Sequence, residues 1–160
     1  HDNGYELNVI KAVEKANEYQ KSVIYNKIAE YYNNNLENRT FAIWGLSFKP
    51  KTDDIREASA LILIEKLLGS GAKIRAYDPA AMDEARKVLG NNIEYASDPY
   101  EALNDADGLA LMTEWAEFHL PDFKKMGDIM KSKVIFDGRN IYDPAELNNL
   151  GFKYFGIGRR

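Results

Sequence analysis

Short apolar runs and segments of helical periodicity alternate from Thr40 onward, and this order constrains the fold more than any other feature of the sequence. Four runs predict strands, FAIW (41–44), IRAY (74–77), LALM (109–112) and VIF (134–136), and KYF (153–155) is a weaker candidate. Helical patterns lie between them, at Ala58 to Leu68, about 81–89, from Pro99, near 121–130 and near 144–150. Uniformly apolar strands that alternate with helices are typical of parallel βαβ units. The sequence therefore predicts an α/β fold with a Rossmann-like, doubly wound parallel sheet of about five strands.

A long helical pattern precedes this alternation. From about Glu6 to Asn35 the chain contains no Gly or Pro, and apolar residues recur at helical spacing, namely Val9, Ile10, Val13, Ala16, Ile24, Ile28 and Tyr31. A continuous helix over this stretch would be about 45 Å long at about 1.5 Å per residue. Such a length predicts a helix that joins two domains or two subunits. We therefore divide the chain into a linking and dimerisation helix (1–38) and a ligand-binding domain (39–160).

Composition limits the classes of function. A net charge of -4 and a pI of about 5.3 provide no broad attraction for nucleic acid or an anionic membrane. No apolar run approaches the ~20 residues that span a bilayer, and the first residues lack the features of a signal peptide. We therefore expect a cytoplasmic protein. The chain has no cysteine, which excludes disulfides, thiolate metal sites and thiol nucleophiles within it.

The loops that follow the strands are the candidate ligand site, because ligands of open α/β sheets bind beyond the carboxyl ends of the strands. After Trp44, the sequence GLSFKP has neither the GxGxxG pattern nor a P-loop, so we do not expect a dinucleotide in a first-turn cradle. The same loop supplies Lys49, Lys51 and Arg56, which suit anionic oxygens. Lysines in a loop are more often solvated surface charges, so the lysines alone favour the surface interpretation and leave the ligand-binding interpretation open.

Two adjacent acids in this loop, Asp53 and Asp54, are weak evidence for a metal site because neither a histidine nor a third oxygen ligand accompanies them. We assign no metal site. A structural role is favoured instead, in which these acids pair with Arg56 or accept hydrogen bonds from amides at the start of the Ala58 helix.

Asp78 follows the second predicted strand, where a dinucleotide fold places its ribose ligand. It lies 33 positions after Gly45 rather than about 20, so we predict a turn or cap residue ahead of Pro79. Trp115 is interpreted as either a packing aromatic or a ligand platform. His119 stands alone, and we assign it no catalytic or metal role.

The stretch DGRN follows the fourth predicted strand. Asp137 and Gly138 predict a tight turn that presents Arg139 at the carboxyl edge of the sheet, where Lys49 also lies. A guanidinium beside an ammonium group suits a diphosphate, and Phe48 offers an apolar surface for a base or a sugar. The residues therefore predict a nucleotide-like diphosphate held by side chains, and they predict no reaction.

These motifs occur in an order that resembles the C-terminal part of the UDP-glucose/GDP-mannose dehydrogenase family. The most specific pair is GLSFKPKTDDIREAS (45–59) with FDGRN (136–140), and AVEKANEYQK (12–21), YDP (77–79) and TEW (113–115) complete the order. The resemblance covers essentially the whole chain. TEW favours the branch that acts on UDP-glucose over those that act on GDP-mannose or UDP-N-acetylmannosamine.

The resemblance implies a domain of an NAD-dependent enzyme that oxidises the C6 hydroxyl of UDP-glucose twice, through a thioester, to give UDP-glucuronate for polysaccharide biosynthesis. It further implies a homodimer that forms through the central helix, and an N-terminal domain that makes most of the contacts with NAD. Carried over by motif, Phe48 and Lys49 contact the UDP-sugar, Arg139 also faces it, and Arg56 reaches the cofactor.

The family's nucleophilic cysteine and its catalytic lysine and asparagine match no position of this chain. We therefore assign no catalytic residue within it and expect no dehydrogenase activity from these 160 residues alone. Two alternatives stay open: a dehydrogenase of the same family that acts on UDP-N-acetylmannosamine or GDP-mannose, and a non-enzymatic binding or dimerisation module whose loop lysines are plain surface charge.

Overall fold

The computed structural model describes Lys11 and residues 19–158. Its strands are β1 (Thr40–Trp44), β2 (Lys73–Tyr77), β3 (Glu94–Tyr95), β4 (Gly108–Leu111), β5 (Val134–Asp137) and β6 (Lys153–Gly156). Its helices are α1 (Val23–Tyr31), α2 (Ser59–Gly69), α3 (Met82–Leu89), α4 (Pro99–Leu103), α5 (Phe123–Ile129) and α6 (Pro144–Asn149), with a 3₁₀ turn at Ala116–Phe118.

The strands form one parallel sheet in the order β3-β2-β1-β4-β5-β6. This arrangement confirms the predicted doubly wound, Rossmann-like fold. The sheet has six strands instead of about five, because the two-residue strand β3 carries an exposed glutamate and is too short to produce an apolar run. The strand order reverses between β1 and β4, which places a crevice at the carboxyl ends of these two strands.

The two faces of the sheet bury separate cores, which explains why its strands are uniformly apolar. Phe41 and Ile43 of β1 pack on one face with residues of α1, α2 and α3. Trp44, on the opposite face, packs in a second cluster with Leu103 and Met126. Helices of the chain itself cover both faces, so the described residues contain a buried interior of their own.

Aspartate and proline begin two of the helices. Asp98 caps α4 by accepting the N–H groups of Tyr100 and Glu101, and Pro99 occupies the first turn. Asp143 caps α6 in the same way ahead of Pro144. Proline lacks the N–H group that is unsatisfied at this position, and the aspartate accepts from the donors that follow.

The helix before the sheet ends earlier than its pattern predicts. Within the described part of the chain, α1 stops at Tyr31 rather than near Asn35, and a turn at Ser22 separates it from a helical stretch at 19–21. Asn33 and Asn34 have positive φ values of 50° and 59°, which a helix does not accommodate. The first part of the predicted long helix (6–10 and 12–18), including its apolar positions before Ile24, lies outside the described residues. No helix among residues 19–158 has the length and apolar character needed to cross a membrane.

Candidate functional site

The segment between β1 and α2 (residues 45–58), called the β1 loop below, lies at the carboxyl edge of the sheet. A backbone hydrogen bond from Phe48 N to Asp54 O, 2.8 Å long, closes residues 48–54 into a compact turn. The Phe48 ring projects from it and is 51% exposed, and Lys49 beside it is also exposed. The loop therefore presents one apolar surface and one positive charge next to each other.

Gly45 allows the β1 loop to pass close to the end of β4. Its φ is 91°, and a Cβ built on it would lie 2.5 Å from Cβ and 2.7 Å from the backbone nitrogen of Thr113. Thr113 uses this proximity, because its hydroxyl donates a hydrogen bond of 2.6 Å to the Ser47 carbonyl. The glycine of the loop therefore serves close packing of two strand ends.

Arg139 is held by the turn after β5. Asp137, which is fully buried, accepts the backbone N–H groups of Arg139 at 2.8 Å and Ile141 at 2.8 Å. The side chain of Arg139 then crosses the carboxyl edge. Its Nε–H donates to the Met112 carbonyl at 2.8 Å and its Nη2 donates to the Phe48 carbonyl at 3.0 Å. The structure thus brings Arg139 from the fifth strand against the residue that precedes Lys49.

Glu114 lies beside the same guanidinium. Its Oε2 is 2.9 Å from Nε of Arg139, yet it accepts no hydrogen bond from the described residues because that N–H is directed at Met112 O. The contact is therefore electrostatic attraction without a hydrogen bond, and it helps to fix the orientation of the arginine.

Arg56 belongs to an exposed pair with Asp54. Nε of Arg56 donates to Oδ1 of Asp54 at 3.0 Å and Nη2 donates to Oδ2 at 2.8 Å, while the guanidinium stays 86% exposed. The hydrogen bonds from Arg56 hold the pKa of the Asp54 carboxyl at about 2, and Lys49 contributes to the same lowering. This pair matches the predicted structural role of the acids, whereas the start of α2 has no side-chain cap. Phe48, Asp54, Arg56 and Glu57 line a surface cavity of about 490 Å³.

A titration tests this pair directly. We expect the Asp54 carboxyl, followed by NMR, to titrate near pH 2 in the parent chain and close to pH 4 in Arg56→Ala. Because the folded pKa is depressed, the pairing contributes stability above the unfolded pKa and loses it as the pH falls from about 4 to about 2. An unchanged midpoint in Arg56→Ala would show that the arginine does not cause the shift.

The other candidate residues are either exposed on the surface or engaged in packing and capping. Lys51 and Asp53 are exposed on the β1 loop, and His119 is exposed after the 3₁₀ turn. Trp115 is half-buried, packs against the second core cluster and donates its indole N–H toward Asp78, so the packing interpretation describes it best. Asp78 caps the turn after Pro79, as predicted, by accepting the N–H group of Ala80 at 2.8 Å.

The sequence matches a known protein family. The sequence profile described as "UDP-glucose/GDP-mannose dehydrogenase family, UDP binding domain" matches residues 42–144, which is more than half of the 160-residue chain. The chain belongs to the UDP-glucose/GDP-mannose dehydrogenase family. The matched residues contain both the β1 loop and Arg139, so the resemblance noted in the sequence is confirmed.

Relatives within the dehydrogenase family align with nearly all of the chain. UDP-glucose 6-dehydrogenase of Pseudomonas aeruginosa is 42% identical over 98% of this chain, and that of Bacillus subtilis is 38% identical over 98%. The solved structure of a UDP-glucose dehydrogenase from Pyrobaculum islandicum superposes with a TM-score of 0.83 at 32% identity, over 98% of this chain. The chain spans only 36%, 34% and 34% of these three proteins, respectively.

The sequence alone does not predict two features of this domain. The Met112 and Phe48 carbonyls orient Arg139, and no pattern of side chains predicts a backbone acceptor. Asp78 was assigned only to its local turn, although it is 1% exposed and also contacts the β1 loop. Its place directly after an apolar strand was the available signal, because that place is often buried in a parallel sheet.

Proposed function

We propose that this chain is the UDP-sugar-binding domain of a UDP-glucose 6-dehydrogenase. In the whole protein, UDP-glucose, two NAD and water would give UDP-glucuronate and two NADH. The family match supports the UDP part of this proposal, and the 42% and 38% identical relatives named UDP-glucose 6-dehydrogenase support the sugar.

The contact between Arg139 and the Phe48 carbonyl is the observation that carries the proposal. It joins the loops after β5 and β1, so a guanidinium, the Lys49 ammonium and an aromatic surface lie at one edge of the sheet. A diphosphate needs cationic donors from more than one direction, and a base or sugar packs well on an aromatic face. We therefore assign Lys49 and Arg139 to the diphosphate and Phe48 to an apolar face of the UDP-sugar.

NAD does not fit the first-turn position of this domain. The β1 loop has one glycine where a dinucleotide cradle has three, and Gly45 serves contact with Thr113. We propose that the cofactor, which supplies the hydride acceptor of the reaction, is bound mainly by another part of the whole protein. Arg56 would contact it from this domain, because its guanidinium is 86% exposed beside Asp54 on the β1 loop.

Calorimetric titration of the chain with UDP tests the assignment. We expect Lys49→Ala and Arg139→Ala each to weaken UDP binding about 10- to 100-fold, because a hydrogen bond to a charged group contributes about 1.5–3 kcal/mol. Lys73→Ala is the matched control, since Lys73 is an exposed lysine at the opposite edge of the sheet.

Failure of the parent chain to bind UDP would contradict the proposal, as would equal affinities in the parent and the two site variants. A parallel titration with GDP distinguishes the related activities, because a GDP-sugar enzyme would prefer that nucleotide. Absence of binding by either nucleotide favours the non-enzymatic module.

We also propose that the helix before the sheet forms a homodimer contact and that the protein is cytoplasmic. The boundary between this helical segment and the UDP-sugar-binding domain is proposed to lie between residues 38 and 39. Helix α1 packs its buried residues Ile24 and Ile28 on the sheet, whereas Tyr19 stays 68% exposed. Light scattering of the chain tests the homodimer, and a monomeric mass would count against it.

A further inference from the structure

Asp78 follows β2 directly, where an acid of a dinucleotide-binding fold accepts hydrogen bonds from a ribose. Here the carboxylate is 1% exposed. Its Oδ1 accepts the N–H groups of Ala80 and Ala81, both at 2.8 Å. The turn into α3 therefore occupies one oxygen of the carboxylate completely.

The other oxygen serves the β1 loop. Oδ2 of Asp78 accepts the N–H group of Leu46 at 2.7 Å, and the N–H and hydroxyl of Ser47 at 3.0 Å and 3.1 Å. The indole N–H of Trp115 is directed at the same oxygen from 3.2 Å. A carboxylate offers about four lone-pair sites on its two oxygens. The donors of the chain itself thus leave none for a ribose hydroxyl.

We propose that Asp78 is the positioning residue of the UDP site, because it fixes the backbone from which Phe48 and Lys49 project. This inference rests on the proposed function. Leu46 and Ser47 are buried, at 0% and 2% exposure, so their N–H groups have no access to water if the carboxylate is lost. An unsatisfied buried donor is costly, and the loop would have to move to hydrate it. Phe48 and Lys49 come next in the chain and would move with it.

A purely structural role for Asp78 predicts lower stability and nothing else, so the test needs a matched buried carboxylate away from the site. Asp107 is such a residue, because it is 2% exposed and directly precedes β4 at the opposite edge of the sheet. It accepts hydrogen bonds from the backbone N–H of Thr40 at 2.9 Å and from Nη1 of Arg39 at 3.2 Å. Asp107→Asn therefore changes the same chemical group without touching the β1 loop.

The experiment compares Asp78→Asn with Asp107→Asn at a temperature where circular dichroism shows both to be folded. We expect both variants to have a lower Tm than the parent. Only Asp78→Asn should bind UDP about tenfold more weakly, which corresponds to about 1.4 kcal/mol. Amide hydrogen exchange at Leu46 and Ser47, followed by NMR, should accelerate in Asp78→Asn alone.

Equal UDP affinities and unchanged exchange in the two variants would overturn the inference, whereas loss of UDP binding in Lys49→Ala would still support the proposed function. If the parent binds no UDP, the proposed function fails, and the exchange rates alone decide whether Asp78 orders the loop. If Asp78→Asn does not fold, Asp78→Glu replaces it, with Asp107→Glu as its control. Asp78→Glu keeps the carboxylate but shifts it by one methylene relative to the Leu46 and Ser47 amides, and a UDP affinity equal to that of Asp107→Glu would reject the inference.

Discussion

The Gly45→Ala variant is expected to have a free energy of unfolding about 2 to 5 kcal/mol lower than that of the parent chain. A left-handed backbone conformation costs a residue with a Cβ about 1–2 kcal/mol, and forcing extra volume into a packed region costs about 1–3 kcal/mol. Both costs apply here, because φ is 91° and the new methyl group would lie 2.5 Å from Thr113 Cβ. This steric clash is difficult to relieve, since the backbone nitrogen of Thr113 is only 2.7 Å from the same Cβ position.

Gly151→Ala separates the two costs. Gly151 has a similar φ of 82°, and a Cβ on it would meet nothing within 4 Å. We expect this control to lose only the conformational part, about 1–2 kcal/mol. Urea denaturation followed by circular dichroism measures both variants. Equal losses at the two positions would show that the contact between Gly45 and Thr113 does not limit the residue at position 45.

The Trp44→Ala variant is expected to lose about 3–5 kcal/mol of unfolding free energy, as is usual when a large buried aromatic is truncated. Trp44 is 1% exposed, and its ring stacks on Phe118 with centroids 5.0 Å apart. Its indole N–H also donates to the Pro99 carbonyl at 2.8 Å. The substitution therefore opens a cavity under the carboxyl edge and leaves an acceptor at the start of α4 without its donor.

Two further variants distinguish packing from hydrogen bonding at this position. Trp44→Phe retains a ring against Phe118 and should lose a smaller amount, about 1–3 kcal/mol, mainly for the Pro99 carbonyl. Leu120→Ala changes a nearby side chain that is 93% exposed and should alter stability by less than about 0.5 kcal/mol. If Trp44→Ala costs no more than Leu120→Ala, the second core cluster is not what supports the edge. Trp44→Phe also leaves Trp115 as the only tryptophan, so its fluorescence then reports on the surroundings of Asp78.

Most of the sheet could be predicted from the sequence because burial on both faces forces whole strands to be apolar. The five predicted runs correspond to β1, β2, β4, β5 and β6, and the helices after Asp98 and Asp143 begin at their prolines. Strand β3 could not be predicted in this way. Only two of its residues pair with β2, and Glu94 is exposed, so its position depends on tertiary contact and leaves no local pattern.

The candidate site was partly predictable for the same reason. Loops after parallel strands meet at one edge, so the proximity of Arg139 and the β1 loop followed from topology. The acceptors that orient Arg139 are backbone carbonyls, and every residue has one, so composition cannot identify them. The number of donors around Asp78 depends equally on how three loops fold together, which a single sequence position does not encode.

The saturated carboxylate of Asp78 has a practical consequence for protein engineering. An acid at the end of the second strand accepts hydrogen bonds from the ribose in dinucleotide-binding folds. Asp78 occupies that position, but donors of the chain itself reach both of its oxygens. Introducing a glycine-rich turn after β1 would therefore not by itself convert this domain into one that binds a dinucleotide. A designer would first have to supply other acceptors for the Leu46 and Ser47 amides, and only then would the acid be available to a ribose.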